Sequence, residues 1–138
     1  MTEQGKMEPR ISIITLGVAD LERSTRFYRD GLGLPHDPEF EGIAFFPLQG
    51  TWLALYPRAE LANDANVDPQ GTGFSGVTLA HNMRSKEEVD RTLEQAAASG
   101  AVITKPAEEA FWGGYSGCFA DPDGHIWEIA WNPGFPLD

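Results

Sequence analysis

The feature that most constrains the fold is a strand–helix–strand–strand pattern that occurs twice along the 138 residues. In the first copy, residues 11–18 are rich in β-branched side chains and predict a strand, and Asp20 is a suitable N-terminal cap for the helix that follows. Residues 42–48 and 51–56 predict two more strands, with room for a short one at 34–40. A pattern that repeats in this way indicates two modules of one architecture.

The second copy follows a segment of low periodicity, residues 58–73, whose many Asn, Asp, Pro and Gly residues favour a linker. Residues 76–81 then predict a strand, and Ser85 begins a helix with Glu88 at the reciprocal capping position. Further strands are predicted at residues 102–104, 114–120 and 125–131. The helix should bury Val89, Leu93, Ala96 and Ala97. We therefore expect one α+β domain, residues 10–133, with module one at 10–57 and module two at 74–133.

Composition restricts the class of protein. A hydrophobic fraction of 41% and a charged fraction of 22% are typical of a globular domain. No apolar run approaches the roughly 20 residues that span a bilayer, so no membrane partner is expected. Residues 1–6 lack the apolar core of a secretion signal, which favours a cytoplasmic location. Cys118 is the only cysteine, which excludes an internal disulfide and favours a small buried residue.

The formal net charge of −11 disfavours nucleic acid as a partner, since it repels a phosphate backbone. The same charge modestly favours a cationic small molecule, although solubility alone also explains it.

An acidic turn joins the last two predicted strands. Pro122 presets its own backbone dihedral, and Gly124 permits a positive φ. The carboxylates of Asp121 and Asp123 can accept hydrogen bonds from nearby amides. The turn therefore predicts a strand that begins near His125.

Glu128 is the most informative residue of that last strand. Alternation places it between two apolar residues, Ile126 and Ala130, and on the face opposite His125 and Trp127. A carboxylate in such surroundings can transfer a proton, bind a cationic group of a ligand, or serve only a structural role.

Three segments resemble the vicinal oxygen chelate superfamily, which includes glyoxalase I, bleomycin-resistance proteins and extradiol dioxygenases. They are Leu16–Ser24, Phe27–Leu34 and Asp121–Glu128, and the resemblance extends over nearly the whole chain. It implies two tandem βαβββ modules whose mixed sheet forms a cup around a ligand site. It also implies a homodimer.

Metal-binding members of that superfamily hold a divalent ion through up to four side chains, from the first and last strands of each module. Here the four positions fall on Ile13, Ala54, Gly76 (or Ser75 after a shift) and Glu128. Hard cations require several oxygen ligands, and transition ions prefer imidazole or thiolate. Because only Glu128 is a ligand-type residue, we expect no metal at this site and no cofactor. The three histidines, His36, His81 and His125, match none of the four positions.

Strand alternation predicts which residues line the cup. A ligand would meet aromatic walls, a few hydroxyls and one acid, which suits a flat ring or a cationic group. The predicted ligand-binding residues are Ile13, Thr15, Trp52, Ala54, Tyr56, Gly76, Thr78, Trp112, Tyr115 and Glu128. Trp112 and Tyr115 could instead cap the hydrophobic core, and the Tyr115 hydroxyl could reach Glu128. Trp127 and Trp131 are expected on the helix side of the sheet.

Two functions are consistent with these patterns. The first is a metal-free small-molecule-binding protein of the glyoxalase/bleomycin-resistance type, which holds an aromatic or cationic organic ligand. The alternative is an enzyme, a lyase or isomerase similar to lactoylglutathione lyase, with Glu128 as catalytic acid–base group or with a relocated metal. Its second proton-transfer partner would be Tyr115 or His36. The absence of donor side chains at three of four positions favours the binding protein. A third possibility, a structural or regulatory protein that has kept only the fold, also stays open.

Overall fold

The computed structural model describes residues 7–71 and 73–134. Along these residues the chain forms an α+β structure with two β-sheets, which divides into two compact units. The first unit contains residues up to 25 and residues 34–69, and the second contains residues 26–33 and those from 70 onward. No helix within the described ranges is long and apolar enough to cross a membrane.

The first unit holds a three-stranded sheet. Its elements are β1 (Ile13–Val18), α1 (Leu21–Arg26), β2 (Ala44–Phe46), β3 (Trp52–Pro57) and α2 (Arg58–Ala65). The strand order is β1–β3–β2, with β3 parallel to β1 and antiparallel to β2. Instead of the short strand that residues 34–40 could form, a single β-bridge joins Asp37 to Phe45. Asp20 caps α1 as predicted, since its carboxylate accepts a hydrogen bond from the backbone N–H of Arg23 at 3.1 Å.

One face of this sheet forms the core of the first unit. This face is formed by every second residue of each strand, because successive side chains of a strand point to opposite faces, and these residues are largely buried. They are Leu16, Val18, Ala44, Phe46, Leu53 and Leu55. The other face carries the residues between them, and we call it the open face of the first sheet.

Helix α2 lies over part of this open face, at Gly17. A Cβ atom on Gly17 would lie 3.2 Å from the Cα atom of Arg58, so a larger residue would require the helix to shift by a few tenths of an ångström. The helix was not predicted, because Ala62 is its only buried residue and the sequence therefore shows no apolar stripe. It ends at Asn66, which adopts the left-handed conformation with φ 61°.

The second unit holds a four-stranded sheet and the longest helix. After a π-helical turn at Phe27–Gly31, its elements are β4 (Thr78–Met83), α3 (Lys86–Ala98), β5 (Val102–Glu109), β6 (Tyr115–Ala120) and β7 (Ile126–Trp131). The order is β4–β7–β6–β5, with β4 parallel to β7 and the other pairs antiparallel. In both units the first strand is thus parallel to the last, which confirms the predicted repeat of one module.

Several strand boundaries differ from the predicted ones, and those of β4 and β5 have a clear physical reason. Strand β4 begins two residues later, since Gly76 has a φ of 86°, outside the range of extended strands. Strand β5 extends five residues beyond the predicted end at Thr104, through Pro106 to Glu109. The sheet edge accommodates Pro106, because the pairing of β5 with β6 shifts register twice around it.

Helix α3 has the predicted cap and stripe. The Ser85 side chain accepts a hydrogen bond from the N–H of Glu88 at 3.1 Å, and the Glu88 carboxylate accepts from the N–H of Arg84 at 2.9 Å. The Glu88 side chain therefore bonds the N–H of the residue that precedes the N-cap, rather than the N–H of Ser85. The helix buries Val89, Leu93 and Ala96, while Ala97 is exposed.

Candidate ligand-binding site

The turn before β7 is held by Asp121, a carboxylate that is only 4% exposed. Its Oδ1 atom accepts hydrogen bonds from the backbone N–H groups of Asp123 at 2.9 Å and His125 at 2.8 Å. Gly124 has the positive φ that the sequence predicts, at 88°. The turn therefore fixes where β7 starts, and with it the position of Glu128 along the strand.

The second oxygen of Asp121 belongs to a buried network that the sequence analysis missed. The Tyr28 hydroxyl donates to Asp121 Oδ2 at 2.6 Å, and Trp127 Nε1 donates to the Tyr28 oxygen at 3.0 Å. Burial raises the pKa of the Tyr28 phenol well above its usual value, and the charge of Asp121 raises it further. Tyr28 is thus held as a neutral donor between an acid and an indole.

Strand register places Glu128 in a row of side chains across the second sheet. Glu128 pairs with Ala80 of β4 on one side and with Cys118 of β6 on the other, and Cys118 pairs with Lys105 of β5. Paired residues share a face, so Glu128, Cys118 and Ala80 point the same way. Glu128 is half-buried in this row.

Cys118 is half-buried, whereas the sequence analysis expected a buried residue. Burial raises the pKa of its thiol, and the negative charge of Glu128 adds to the increase, while Lys105 opposes it. Cys118 is therefore a neutral thiol beside Glu128 at neutral pH.

Tyr115 lies on the other face of the same sheet. Its hydroxyl donates to Asp90 of α3 at 2.7 Å, so the predicted contact with Glu128 is wrong. The reason is strand parity, since Tyr115 is three residues from Cys118, the partner of Glu128. Its inclusion among the ligand-binding residues is not tested by this contact and stays a prediction.

Trp127 and Trp131 lie on the helix side, as expected. Trp127 stacks on Phe119 with ring centroids 6.3 Å apart. The ammonium group of Lys86, in α3, lies 5.6 Å from the centroid of the Trp131 ring.

Trp112 lies in the connection between β5 and β6 and is 43% exposed. Its ring fills the space above Gly114, where an added Cβ would come within 1.8 Å of the ring. Gly114 is therefore explained by this close approach of an aromatic side chain. The role of Trp112 in ligand binding stays a prediction.

In the first unit, the predicted ligand-binding residues share the open face. Register pairs Ile13 with Trp52 and Thr15 with Ala54, and Tyr56 follows two residues later on the same side. Ile13 is 45% exposed and Trp52 is 37% exposed, whereas Ala54 is fully buried.

Two aromatic residues on this side, Phe45 and Phe40, were not predicted from the sequence. The Phe45 ring lies 6.3 Å from that of Trp52 and 5.2 Å from that of Phe40. Phe45 could have been found from alternation within β2, because its neighbours Ala44 and Phe46 are buried on the core face.

In the second unit, Thr78 pairs with Ile126, so it shares the face of Glu128 two residues further along. Gly76 precedes β4, and the strand register therefore does not fix its position. That residues 13, 54, 76 and 128 line one common site stays a prediction.

The residue types at these positions do not fit the binding of a metal ion by several protein side chains. The methyl group of Ala54 and the alkyl side chain of Ile13 have no lone pair, and Gly76 has no side chain. Across residues 7–71 and 73–134, no three His, Cys, Asp or Glu side chains form a group that could hold a metal ion.

Predicted ligand-binding residues line cavities at two places among the described residues of the first unit. One, of about 640 Å³, is lined by Ile13 and Trp52 together with Ile11 and Arg10. The other, of about 570 Å³, is lined by Thr15 and Tyr56 together with residues of α2 and the 41–43 segment. Four of the five residues predicted for this unit therefore line a cavity of ligand size.

The fold and these positions define a class of protein. Residues 10–129 match the model of the glyoxalase/bleomycin resistance protein/dioxygenase superfamily, and the chain belongs to this family.

Particular relatives are similar over most of their length. The structure resembles that of a glyoxalase-related enzyme from Fulvimarina pelagi, with a TM-score of 0.88 and 38% identity, over 95% of this chain and 94% of that one. The chain is 31% identical to the uncharacterized protein YraH of Bacillus subtilis, over 84% of its own length and 93% of the relative's. It is 30% identical to the glutathione transferase FosA of Serratia marcescens, over 84% and 76% of the two chains.

Proposed function

We propose that this protein binds a small organic molecule with an aromatic or cationic group, without a resident metal ion. The observation that carries the proposal is the buried methyl group of Ala54. The resemblance to the superfamily implies a carboxylate at this position in metal-binding members. With Ile13 and Gly76, it leaves Glu128 as the single donor side chain among four positions. One carboxylate is a poor site for a hard cation and for a transition ion.

The exposed aromatic residues of the first unit support an organic ligand. Trp52, Phe45 and Phe40 form a chain of ring contacts beside the exposed side chain of Ile13. Such rings bind flat apolar groups, and their faces attract cations. The net charge of −11 acts in the same direction for a cationic ligand.

Within this proposal Glu128 holds the cationic group of the ligand. Its immediate neighbours in the row, Ala80 and Cys118, are uncharged, and the cation of the row, Lys105, lies one strand further away. Gly76, Thr78, Trp112 and Tyr115 belong to the proposed ligand contacts, and a homodimer in the cytoplasm is part of the proposal.

A fluorescence titration tests the binding of such a ligand. Proflavine, a planar cation, should quench tryptophan fluorescence in a saturable way, and Glu128→Gln should weaken its binding about tenfold, because a charge pair is lost. Glu94→Gln, an exposed change of the same kind on α3, should leave binding unchanged. Equal binding by all three proteins contradicts the role of Glu128.

Metal analysis tests the other half of the proposal. Protein purified without chelators should contain nickel, zinc, iron and manganese at far below one ion per chain. A stoichiometric amount of any of them would overturn the metal-free function.

An enzyme is the second candidate, and the neighbour with 38% identity favours it, since that protein is described as a glyoxalase-related enzyme. Glu128 would then act as acid–base group, or a metal would bind elsewhere. In that case Glu128→Gln abolishes turnover of a glutathione adduct but leaves binding of the adduct intact, a result that the binding-protein proposal does not produce.

A further inference from the structure

The carboxylate of Glu128 has no partner of its own on the second sheet. Within residues 7–71 and 73–134, the Glu128 side chain forms neither a hydrogen bond nor an ion pair. The side chain is nevertheless half-buried, and its immediate neighbours in the row, Ala80 and Cys118, are small and uncharged. An acid that the fold itself does not pair is available to a cationic group of a ligand.

A positive charge lies on the same face of this sheet, two strands away from Glu128. Lys105 of β5 pairs in register with Cys118, which pairs with Glu128, so the three side chains point to one side. Neighbouring strands lie about 4.8 Å apart, which places the backbone positions of Lys105 and Glu128 roughly 10 Å apart. Both charges act on the thiol between them, since Glu128 raises the pKa of Cys118 and Lys105 lowers it.

Lys105 is held only weakly by the chain. Its Nζ atom lies 3.9 Å from Oε1 of Glu108, and the two side chains are 55% and 64% exposed. An exposed ion pair of this kind contributes little to stability, because water screens the charges. An anionic group of a ligand can therefore replace Glu108 as the partner of Lys105.

We propose that the ligand at Glu128 is a zwitterion, with a cationic group paired to Glu128 and an anionic group, on the other side of a flat ring, paired to Lys105. The ring then lies over Cys118, whose neutral sulfur behaves as a small apolar surface. Lys105 is thus the residue that distinguishes a zwitterion from a simple cation. This inference rests on the proposed function, because it adds an anionic group to the cationic ligand assigned to Glu128.

Calorimetric titration with two small molecules of similar shape tests the second charge. para-(Aminomethyl)benzoic acid is a zwitterion with an ammonium and a carboxylate at opposite ends of one ring, and its methyl ester keeps only the ammonium. Wild type should bind the zwitterion about tenfold more tightly than the ester, because one further charge pair forms. Lys105→Gln should bind both compounds as wild type binds the ester. The variant should fold normally, since Lys105 is exposed.

Two further variants control for net charge and for its sign. Arg91→Gln removes one positive charge from an exposed position on α3, the helix on the other face of the sheet, and should keep the preference for the zwitterion. Lys105→Glu should reverse the preference. It should bind para-xylylenediamine, in which a second ammonium replaces the carboxylate, about tenfold more tightly than the zwitterion.

Alkylation of Cys118 tests where the ligand lies. Cys118 is the only cysteine of the chain, so modification by N-ethylmaleimide, followed by mass spectrometry, reports on this position alone. A saturating concentration of the zwitterion should slow the modification about fivefold, because the ring covers the thiol. The same concentration should protect the thiol less in Lys105→Gln.

Three results would overturn the proposal: wild type that binds the zwitterion no more tightly than the ester, a preference for the zwitterion that persists in Lys105→Gln, or an unchanged rate of Cys118 modification with the zwitterion bound. None of them alters the proflavine titration or its dependence on Glu128. Loss of that dependence would instead be failure of the proposed function, so the two failures are distinguishable.

Discussion

The two units share one strand arrangement but differ in how the last strand is held. In the second unit, β7 follows a turn whose amides are bonded to the buried carboxylate of Asp121. In the first unit, β3 follows a turn at Gly50, and the Thr51 hydroxyl ties it to the carbonyl of Ile11 at 2.7 Å. The copy that retains a carboxylate on its last strand, Glu128, is thus also the copy whose turn has a buried hydrogen-bond network. Two copies of one strand arrangement can therefore hold their last strands by different hydrogen bonds.

The largest expected effect comes from removing the centre of that network. Asp121→Ala leaves two backbone amides and the Tyr28 hydroxyl without an acceptor, so the free energy of unfolding should fall by about 4 kcal/mol. Urea unfolding followed by circular dichroism measures it. Asp37→Ala is the control in the first unit, where the carboxylate accepts one exposed bond from the N–H of Glu39, and it should cost about 0.5 kcal/mol. Similar losses in both variants would remove the contrast between the units.

Placing a carboxylate on β3 of the first unit, at position 54, should also lower the free energy of unfolding. Ala54→Glu places a charge at a fully buried position, which should lower the free energy of unfolding by about 3 kcal/mol. In the second unit, Glu128→Ala changes a half-buried side chain and should cost less than about 1 kcal/mol. Thermal melts of the two variants compare the positions directly. If the Ala54→Glu variant were as stable as wild type, burial of position 54 would not explain why an alanine occupies it.

A smaller effect, and one that depends on pH, is expected at Tyr28. Tyr28→Phe removes the acceptor of the Trp127 N–H and a donor to Asp121, so it should cost about 2 kcal/mol at neutral pH. Because the pKa of Tyr28 is raised in the folded state, its contribution is complete below the unfolded value of about 10 and is lost as the pH rises towards the folded value.

The stability difference between wild type and Tyr28→Phe should therefore shrink between about pH 9.5 and 11. Urea titrations at several pH values give this difference, in which the other titrating groups cancel. A difference that stays constant or grows would contradict the buried, neutral Tyr28.

Features determined by neighbouring residues were predictable from the sequence. The caps at Asp20 and Ser85 and the turn at Asp121 each involve hydrogen bonds over at most four residues, so their spacing is visible in the chain. The repeated strand pattern likewise predicted the fold class, because each strand shows either alternating apolar and polar residues or a continuous apolar run within its own sequence.

Features that depend on tertiary contacts were not. Tyr28 and Asp121 are 93 positions apart, and only the folded chain brings the hydroxyl to the carboxylate. Helix α2 buries a single alanine, so it lacks the periodicity by which helices are recognised. For the candidate site, alternation grouped Ile13, Thr15 and Trp52 on one face, but it could not reveal the carboxylates of α2 that line the neighbouring cavity.

The irregular strand β5 also bears on how the protein behaves at high concentration. It is the outer strand of the second sheet, and an outer strand with regular spacing is a template for pairing with other molecules. Pro106 lacks an N–H group, and the pairing of β5 with β6 shifts register once before it and once across it, so the strand is irregular there. We therefore expect this edge to be a poorer template for strand addition, the first step of fibril growth, than a regular outer strand.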